Sequence, residues 1–150
     1  MSQENIEVVE RVIAAVSERD IERYLACCGE NVRLETPWTA VEGAYEGADD
    51  IRRFFADLHD TAPDFRLTIE RLEPIGRDRV LAFLRAHATG RASGIAAGAE
   101  TLAAGLPETG IPTANVYDLA DGEITRIRVF VDRQEALEAT SRPPPPAPRS

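Results

Sequence analysis

Two pairs of polar residues occupy positions from which their side chains can act together, Arg85 with His87 and Asn115 with Tyr117. The members of each pair are two residues apart within β-patterned runs, so each pair projects from one face of its strand. An unperturbed histidine titrates near neutral pH, which makes His87 a candidate general base. Arg85 can bind a carboxylate or an enolate, and the Asn115 amide can donate a hydrogen bond to a carbonyl.

Each of these residues also has a structural interpretation. His87 can be hydrogen-bonded to Asn115 or Tyr117 and only support the fold. Arg85 can instead be paired with an inner Asp or Glu of the chain.

The composition limits the classes of partner. A chain of 150 residues that is 43% hydrophobic fits one domain with its own core. A formal net charge of −9 repels phosphate backbones and anionic lipid, so nucleic acid and membrane partners are not expected. No apolar stretch approaches the ~20 residues of a membrane span, and the polar start lacks the basic region of a secretory signal. The expected location is the cytoplasm.

Metal and redox chemistry are not indicated. Cys27 and Cys28 are neighbours, which rarely reach disulfide geometry, so we interpret them as reduced packing residues, with a redox pair as the alternative. His59 and His87 have no ligand-type spacing around them. We therefore expect neither a metal nor a cofactor.

Hydrophobic periodicity predicts an α+β arrangement. Apolar residues three and four apart predict a helix over Asn5 to Val16, and Asp20 can cap a second helix. A short strand is predicted over Asn31 to Pro37, and Asp49 or Asp50 can cap a third helix. Four long strands and a final helix follow, at Phe65–Ile75, Arg79–Arg91, Ile111–Leu119, Glu123–Asp132 and Arg133–Ala139.

Two segments do not fit this pattern. The Gly- and Ala-rich stretch from Gly90 to Gly110 is interpreted as a flap over the site or as a plain insertion. The proline-rich residues 142–150 are predicted to form a disordered tail, which leaves residues 1–141 as the single domain.

The order of these elements and several local motifs resemble the SnoaL-like branch of the nuclear-transport-factor-2-like superfamily over about residues 4 to 139. The motifs are Asp20-Ile21-Glu22, Leu34-Glu35-Thr36-Pro37-Trp38, Tyr45-Glu46-Gly47, Asp121-Gly122-Glu123-Ile124 and Phe130-Val131-Asp132-Arg133. The resemblance implies a strongly curved antiparallel sheet, wrapped into a cone around the N-terminal helices, with one central pocket.

Three enzyme patterns of that superfamily match this chain only in part. The ketosteroid isomerase pattern has a carboxylate base where this chain has Thr36, and a hydroxyl does not abstract a carbon-bound proton near neutral pH. At the positions of the limonene epoxide hydrolase pattern stand Arg85, His87 and Val129, without a proton donor for the epoxide oxygen. The dehydratase pattern is matched in part by His87, Tyr117 and Tyr45.

The same alignment, combined with strand alternation, predicts which side chains face the pocket. They are Leu81, Phe83, Arg85, His87, Asn115, Tyr117, Ile127, Val129 and Val131. The convex face then carries Arg126, Arg128 and Phe130, and an aromatic residue flanked by arginines is typical of interfaces. We therefore expect a homodimer through this face.

The predicted site combines a polar cluster with an apolar wall. Its catalytic candidates are His87 and Arg85, and its ligand-binding candidates are Asn115, Tyr117, Trp38, Phe55, Phe83 and Val129. The three aromatic residues other than Tyr117 have core packing as their alternative role. We expect the chain to bind a small hydrophobic oxygenated molecule, either as a lyase, isomerase or hydrolase or as a non-catalytic binding or dimeric assembly module.

Overall fold

The computed structural model describes residues 2–36, 43–62, 64–87 and 111–141. Its helices are α1 (Ser2–Glu18), α2 (Ile21–Ala26), α3 (Gly47–Thr61) and α4 (Arg133–Ser141). Its strands are β1 (Cys28–Glu35), β2 (Tyr45–Glu46), β3 (Arg66–Ile75), β4 (Arg79–His87), β5 (Ile111–Ala120) and β6 (Glu123–Phe130). The predictions for Trp38, for the 90–110 segment and for the 142–150 tail lie outside the described residues.

The helix starts follow from local hydrogen bonds. The Asp20 side chain accepts a hydrogen bond from the Arg23 amide at 3.1 Å, which confirms the predicted cap of α2. Helix α3 begins two residues before Asp49, with Glu46 in the capping position. Asp50 reaches back instead and accepts a hydrogen bond from the Glu46 amide at 2.9 Å, so the prediction of Asp49 or Asp50 as the cap is wrong.

The six strands form one curved, unclosed sheet in the order β2-β1-β6-β5-β4-β3. Neighbouring strands are antiparallel, as the resemblance implies, with the exception of β1 and β6, which run parallel. The parallel pairing of β1 with β6 follows from the position at which β1 begins in the sheet. Cys28 lies opposite Ile124 at the start of both strands, and the Ile124 amide bonds the Cys27 carbonyl at 2.9 Å.

Two hairpins connect neighbouring antiparallel strands, and both have glycine in their turns. Gly76 joins β3 to β4 with φ +64°, and Asp121 and Gly122 join β5 to β6 with φ +53° and +80°. Two consecutive residues with positive φ match the right-handed twist of the flanking strands.

Both faces of the sheet are covered in its centre. Helices α1, α2 and α3 pack on the concave face and form the main core with residues such as Val12, Ile13 and Ile51. Helix α4 packs on the convex face, in a second cluster of Leu81, Ala114, Val116 and Ala136. Consequently β4 and β5 are buried on both sides.

Arg133 fixes α4 to the convex face. Its Nε donates to the Thr113 carbonyl at 3.1 Å, and its Nη2 donates to the Leu84 carbonyl and to Glu70, both at 2.7 Å. Its guanidinium also lies 5.5 Å from the centre of the Phe83 ring. No helix within the described ranges is long and apolar enough to cross a membrane.

Candidate functional site

Asn115 and Tyr117 form a buried polar pair on the concave side of β5. Asn115 Nδ2 donates a hydrogen bond to Tyr117 Oη at 2.9 Å, and the two residues are 8% and 2% exposed. Across the sheet, Asn115 lies opposite Ala82 on one side and Val129 on the other. A small and a branched apolar residue therefore flank the amide, which places these hydrogen-bonding groups in apolar surroundings.

Tyr24 of α2 belongs to the same interior. Its ring packs edge-to-face on Phe55, with centroids 5.3 Å apart, and it is 5% exposed. Burial, followed by the proximity of Cys28, Tyr117 and Cys27, raises the pKa of Tyr24 well above its ordinary value. The spacing of apolar residues in α2 predicts that Tyr24 faces inward. This alone does not indicate a site residue, because one inward tyrosine on a helix is typical of a core.

The interior groups near the pair stay protonated at physiological pH. Burial raises the pKa of the Cys28 thiol to about 12 and, despite the opposing hydrogen bond from Asn115, raises that of Tyr117 as well. The Cys28 thiol lies 3.4 Å from the Tyr24 carbonyl. Both cysteines are free and buried, as expected for packing residues.

The pair can act as a hydrogen-bond donor to a further group. A phenol both accepts and donates, and Tyr117 uses its oxygen to accept from Asn115. No described residue accepts a hydrogen bond from the Tyr117 hydroxyl. That hydrogen is thus suited to an oxygen atom brought against the concave face.

Arg85 and His87 lie on the opposite, convex face of the sheet. Ala82 and Val80 are the β4 residues that share the face of Asn115 and Tyr117, whereas Arg85 lies opposite Pro112. The prediction that Arg85 and His87 join Asn115 and Tyr117 on one face is therefore wrong. The two pairs are separated by the sheet itself.

Contacts on the convex side account for both residues. Arg85 Nε forms an ion pair with Glu70, which also binds Arg133. His87 Nε2 lies 3.0 Å from Thr68 Oγ1 on the neighbouring strand. The structural alternative for Arg85, pairing with an acidic residue, is thus the arrangement found, although the acid is on the outer face.

The wrong face assignment has a physical cause in β4. Val80, Leu81, Ala82, Phe83 and Leu84 are apolar in succession, because helices cover this strand on both sides. Alternation of polar and apolar residues, which shows the inner face of a half-exposed strand, is absent from such a run. Only the register with β5 fixes the face.

The remaining candidate site residues are also divided between the two faces of the sheet. Phe55 and Val129 belong to the concave core as predicted, whereas Phe83 lies on the convex face, between the guanidinium groups of Arg71 and Arg133 at 6.0 and 5.5 Å. The prediction of Phe83 as a pocket residue is therefore wrong. Whether the concave residues bind a ligand stays a prediction.

The convex positions predicted for β6 are confirmed. Arg126 binds both oxygens of Glu35, at 2.9 and 3.1 Å, and Phe130 packs against the cluster beneath α4. Arg128 lies 3.8 Å from Asp118, and its Nε and Nη2 are buried without a hydrogen-bond partner. Burial lowers the pKa of Arg128, with Asp118 acting in the opposite direction.

His59 is buried and connects α3 to α1. Its Nδ1 lies 3.0 Å from the Phe55 carbonyl and its Nε2 3.0 Å from the Val16 carbonyl. With both nitrogens on backbone oxygens, His59 has a structural role. Within the described ranges, no group of three or more His, Cys, Asp or Glu side chains is arranged to hold a metal ion.

Comparison with known proteins agrees with this architecture. Residues 9–127 match the SnoaL-like domain, and the chain belongs to this family. No curated protein sequence matches the chain. The family assignment and the cone-type α+β fold confirm the resemblance drawn from the sequence.

Solved structures are similar in fold over most of the chain. A candidate SnoaL-like polyketide cyclase from Jannaschia sp. CCS1 has a TM-score of 0.65 and 23% identity, covering 95% of each chain. TerC co-crystallised with polyporic acid has a TM-score of 0.66 and 21% identity, covering 93% of this chain and 99% of TerC. A candidate ketosteroid isomerase from Kribbella flavida DSM 17836 has a TM-score of 0.62 and 18% identity, covering 86% and 78%.

Proposed function

We propose that this chain binds a small hydrophobic oxygenated molecule against the concave face of its sheet, with an oxygen of that molecule hydrogen-bonded to Tyr117 and Asn115. The observation that carries the proposal is the buried pair itself, with its unused hydroxyl hydrogen. Buried polar groups are normally satisfied within the protein, so an interior donor without an acceptor favours a ligand acceptor. The surrounding apolar side chains favour a hydrophobic ligand.

We further propose that the ligand is a carbonyl compound undergoing an isomerase- or cyclase-type reaction. Hydrogen bonds to a carbonyl oxygen stabilise the negative charge that develops there when an enolate forms. The descriptions of the Jannaschia and Kribbella relatives as a candidate cyclase and isomerase support this class of reaction. Among the described residues, no aspartate or glutamate is buried, so the interior offers these donors without a carboxylate base. Binding without turnover is therefore the second candidate.

Ligand binding by matched variants tests the proposal. A panel of hydrophobic ketones and epoxides is screened for thermal stabilisation, and dissociation constants of the ligands found are measured by calorimetry. Tyr117→Phe keeps the ring and removes the donor, so affinity should fall about 2- to 12-fold, the equivalent of one neutral hydrogen bond. Tyr45→Phe is the control, because Tyr45 packs on Phe54 at the β2 edge, away from the pair.

The result separates the candidate functions. Unchanged affinity in Tyr117→Phe contradicts the proposed contact, and an absence of any ligand contradicts the binding function. Turnover of a bound ketone, followed by chromatography, distinguishes an enzyme from a binding module.

We also propose that two copies associate through the convex face carrying Arg126, Arg128 and Phe130, in the cytoplasm. Support for the association comes from the partly exposed Arg126 and Phe130 of this face, because arginine and aromatic side chains are enriched at interfaces and an arginine can also bind carboxylates of a second copy. The net charge of −9 means that such carboxylates are plentiful on that copy. The free state of Cys27 and Cys28 supports a reducing location.

A further inference from the structure

Within the described ranges, the concave interior contains hydrogen-bonding groups but no buried arginine or lysine that could pair with an anion. Among the described residues, the buried polar side chains apart from tyrosine and cysteine are Asn5, Thr36, His59, Thr113 and Asn115. No arginine belongs to this set. The polar character of the interior is therefore that of neutral amides and hydroxyls, together with one histidine.

The two basic residues that the sequence analysis identified as candidates for binding an anionic ligand lie on the convex side of the sheet, opposite the proposed site. Arg85 lies on the convex face and pairs with Glu70, and His87 lies there against Thr68. Neither can reach Asn115 through the sheet. A carboxylate ligand seated on the concave face thus has no arginine among the described residues to neutralise it.

In the part of the chain that the structure describes, the groups that face the Asn115–Tyr117 pair do not offer a ligand a charged partner either. Helix α2 contributes Tyr24 and β1 contributes Cys28, and burial raises the pKa of both groups, so both are neutral near pH 7. Strands β4 and β6 contribute apolar residues such as Ala82 and Val129. Helix α3 contributes His59, whose two ring nitrogens lie at 3.0 Å from backbone carbonyls and so are not turned to a ligand.

We propose that the concave site, if it binds ligands as proposed above, accepts uncharged carbonyl compounds and excludes carboxylates and the anionic forms of weak acids. An anion that enters this interior loses its hydration without gaining a cationic partner, which carries a large free-energy penalty. A ketone of the same size loses only the hydration of one weak acceptor and regains a hydrogen bond from Tyr117. The inference rests on the proposed function and adds the charge class of the ligand.

A matched pair of probes tests the inference on the full chain. We choose 2-acetylnaphthalene and 2-naphthoic acid, which share a ring system and differ in the ionisable group, and measure both dissociation constants by calorimetry at neutral pH. The acid should bind at least about 100-fold more weakly than the ketone, because its carboxylate is unpaired. Between about pH 5.5 and 8.5 the affinity for the ketone should stay constant, because the donors facing it do not titrate in this range.

A pH series on the acid provides an independent measurement. If only the neutral form binds, its apparent affinity falls tenfold for each pH unit above its own pKa. The ketone, measured in parallel, controls for any pH effect on the protein. A constant affinity for the acid across the series overturns the inference.

A gain-of-function variant adds a second test. Val129→Arg places a guanidinium group beside Asn115, its neighbour across the sheet. The ratio of acid to ketone affinity should then rise by about tenfold or more. If this variant does not fold, the comparison of probes on the unmodified chain decides the question.

The outcomes distinguish the inference from the proposed function. If both probes bind equally and Tyr117→Phe weakens both, the proposed function stands and the charge selectivity is wrong. If no ketone binds at all, the proposed function fails and the inference fails with it.

Discussion

Replacing Arg133 by methionine removes the side chain that ties α4 to the convex face of the sheet. Arg133 donates hydrogen bonds to the carbonyls of Leu84 and Thr113 at 2.7 and 3.1 Å, and it pairs with Glu70 at 2.7 Å. Methionine keeps an unbranched apolar stem and removes every donor. The two carbonyls and the carboxylate then lose this partner, while the apolar contact of α4 with the sheet is retained.

The contacts set the size of the effect. A hydrogen bond from a charged donor contributes roughly 1.5–3 kcal/mol, whereas a surface ion pair contributes about 0–1 kcal/mol. The Arg133 side chain is 28% exposed, so solvent screens part of each interaction, and the contributions of one side chain are not independent. We therefore expect Arg133→Met to lower the free energy of unfolding by about 2–4 kcal/mol, or the melting temperature by roughly 5–15 °C.

Urea and thermal unfolding of the variant, followed by circular dichroism, measure this change. Arg53→Met is the matched control, because Arg53 is 62% exposed and has one ion pair with Asp50 at 3.1 Å. That control should change the free energy of unfolding by less than about 0.5 kcal/mol. If Arg133→Met is as stable as Arg53→Met, the guanidinium contacts do not hold α4, and the reasoning is refuted.

Three further predictions concern other parts of the sheet. Arg85 lies on the convex face, so Arg85→Met should leave the affinity for a ketone bound at the concave face unchanged within about twofold, as measured by calorimetry. A larger loss of affinity would show that Arg85 contributes to the site. Glu35 has a pKa below its ordinary 4.5, because its hydrogen bonds with Arg126 and Arg33 outweigh the upward effect of burial. Its contribution to stability is therefore present above pH 4.5 and lost as the pH falls, and Glu35→Gln should flatten the acid side of the stability profile in urea unfolding. Sedimentation should show a dimer at micromolar concentration that Arg126→Ala weakens, and a monomeric unmodified chain contradicts the proposed association.

The sequence by itself determined the features that depend on neighbouring residues. Asp20 caps α2 because its carboxylate reaches an amide three residues ahead, and this needs nothing beyond the local chain. Asp121 and Gly122 form a hairpin turn because they tolerate positive φ. The order of such local signals also sufficed to identify the SnoaL-like family and the faces of β6.

Only the tertiary structure decided what depends on the partners of a strand. The parallel pairing of β1 with β6 requires two segments far apart in the chain to start at the same end of the sheet. Which side of β4 faces the concave interior depends on its register with β5. Because α4 covers the convex side of this strand, apolar residues occur on both sides and the sequence pattern does not show which side is inner. Arg85 and His87 were therefore identified as polar residues on one strand, but their separation from Asn115 and Tyr117 was set by long-range packing.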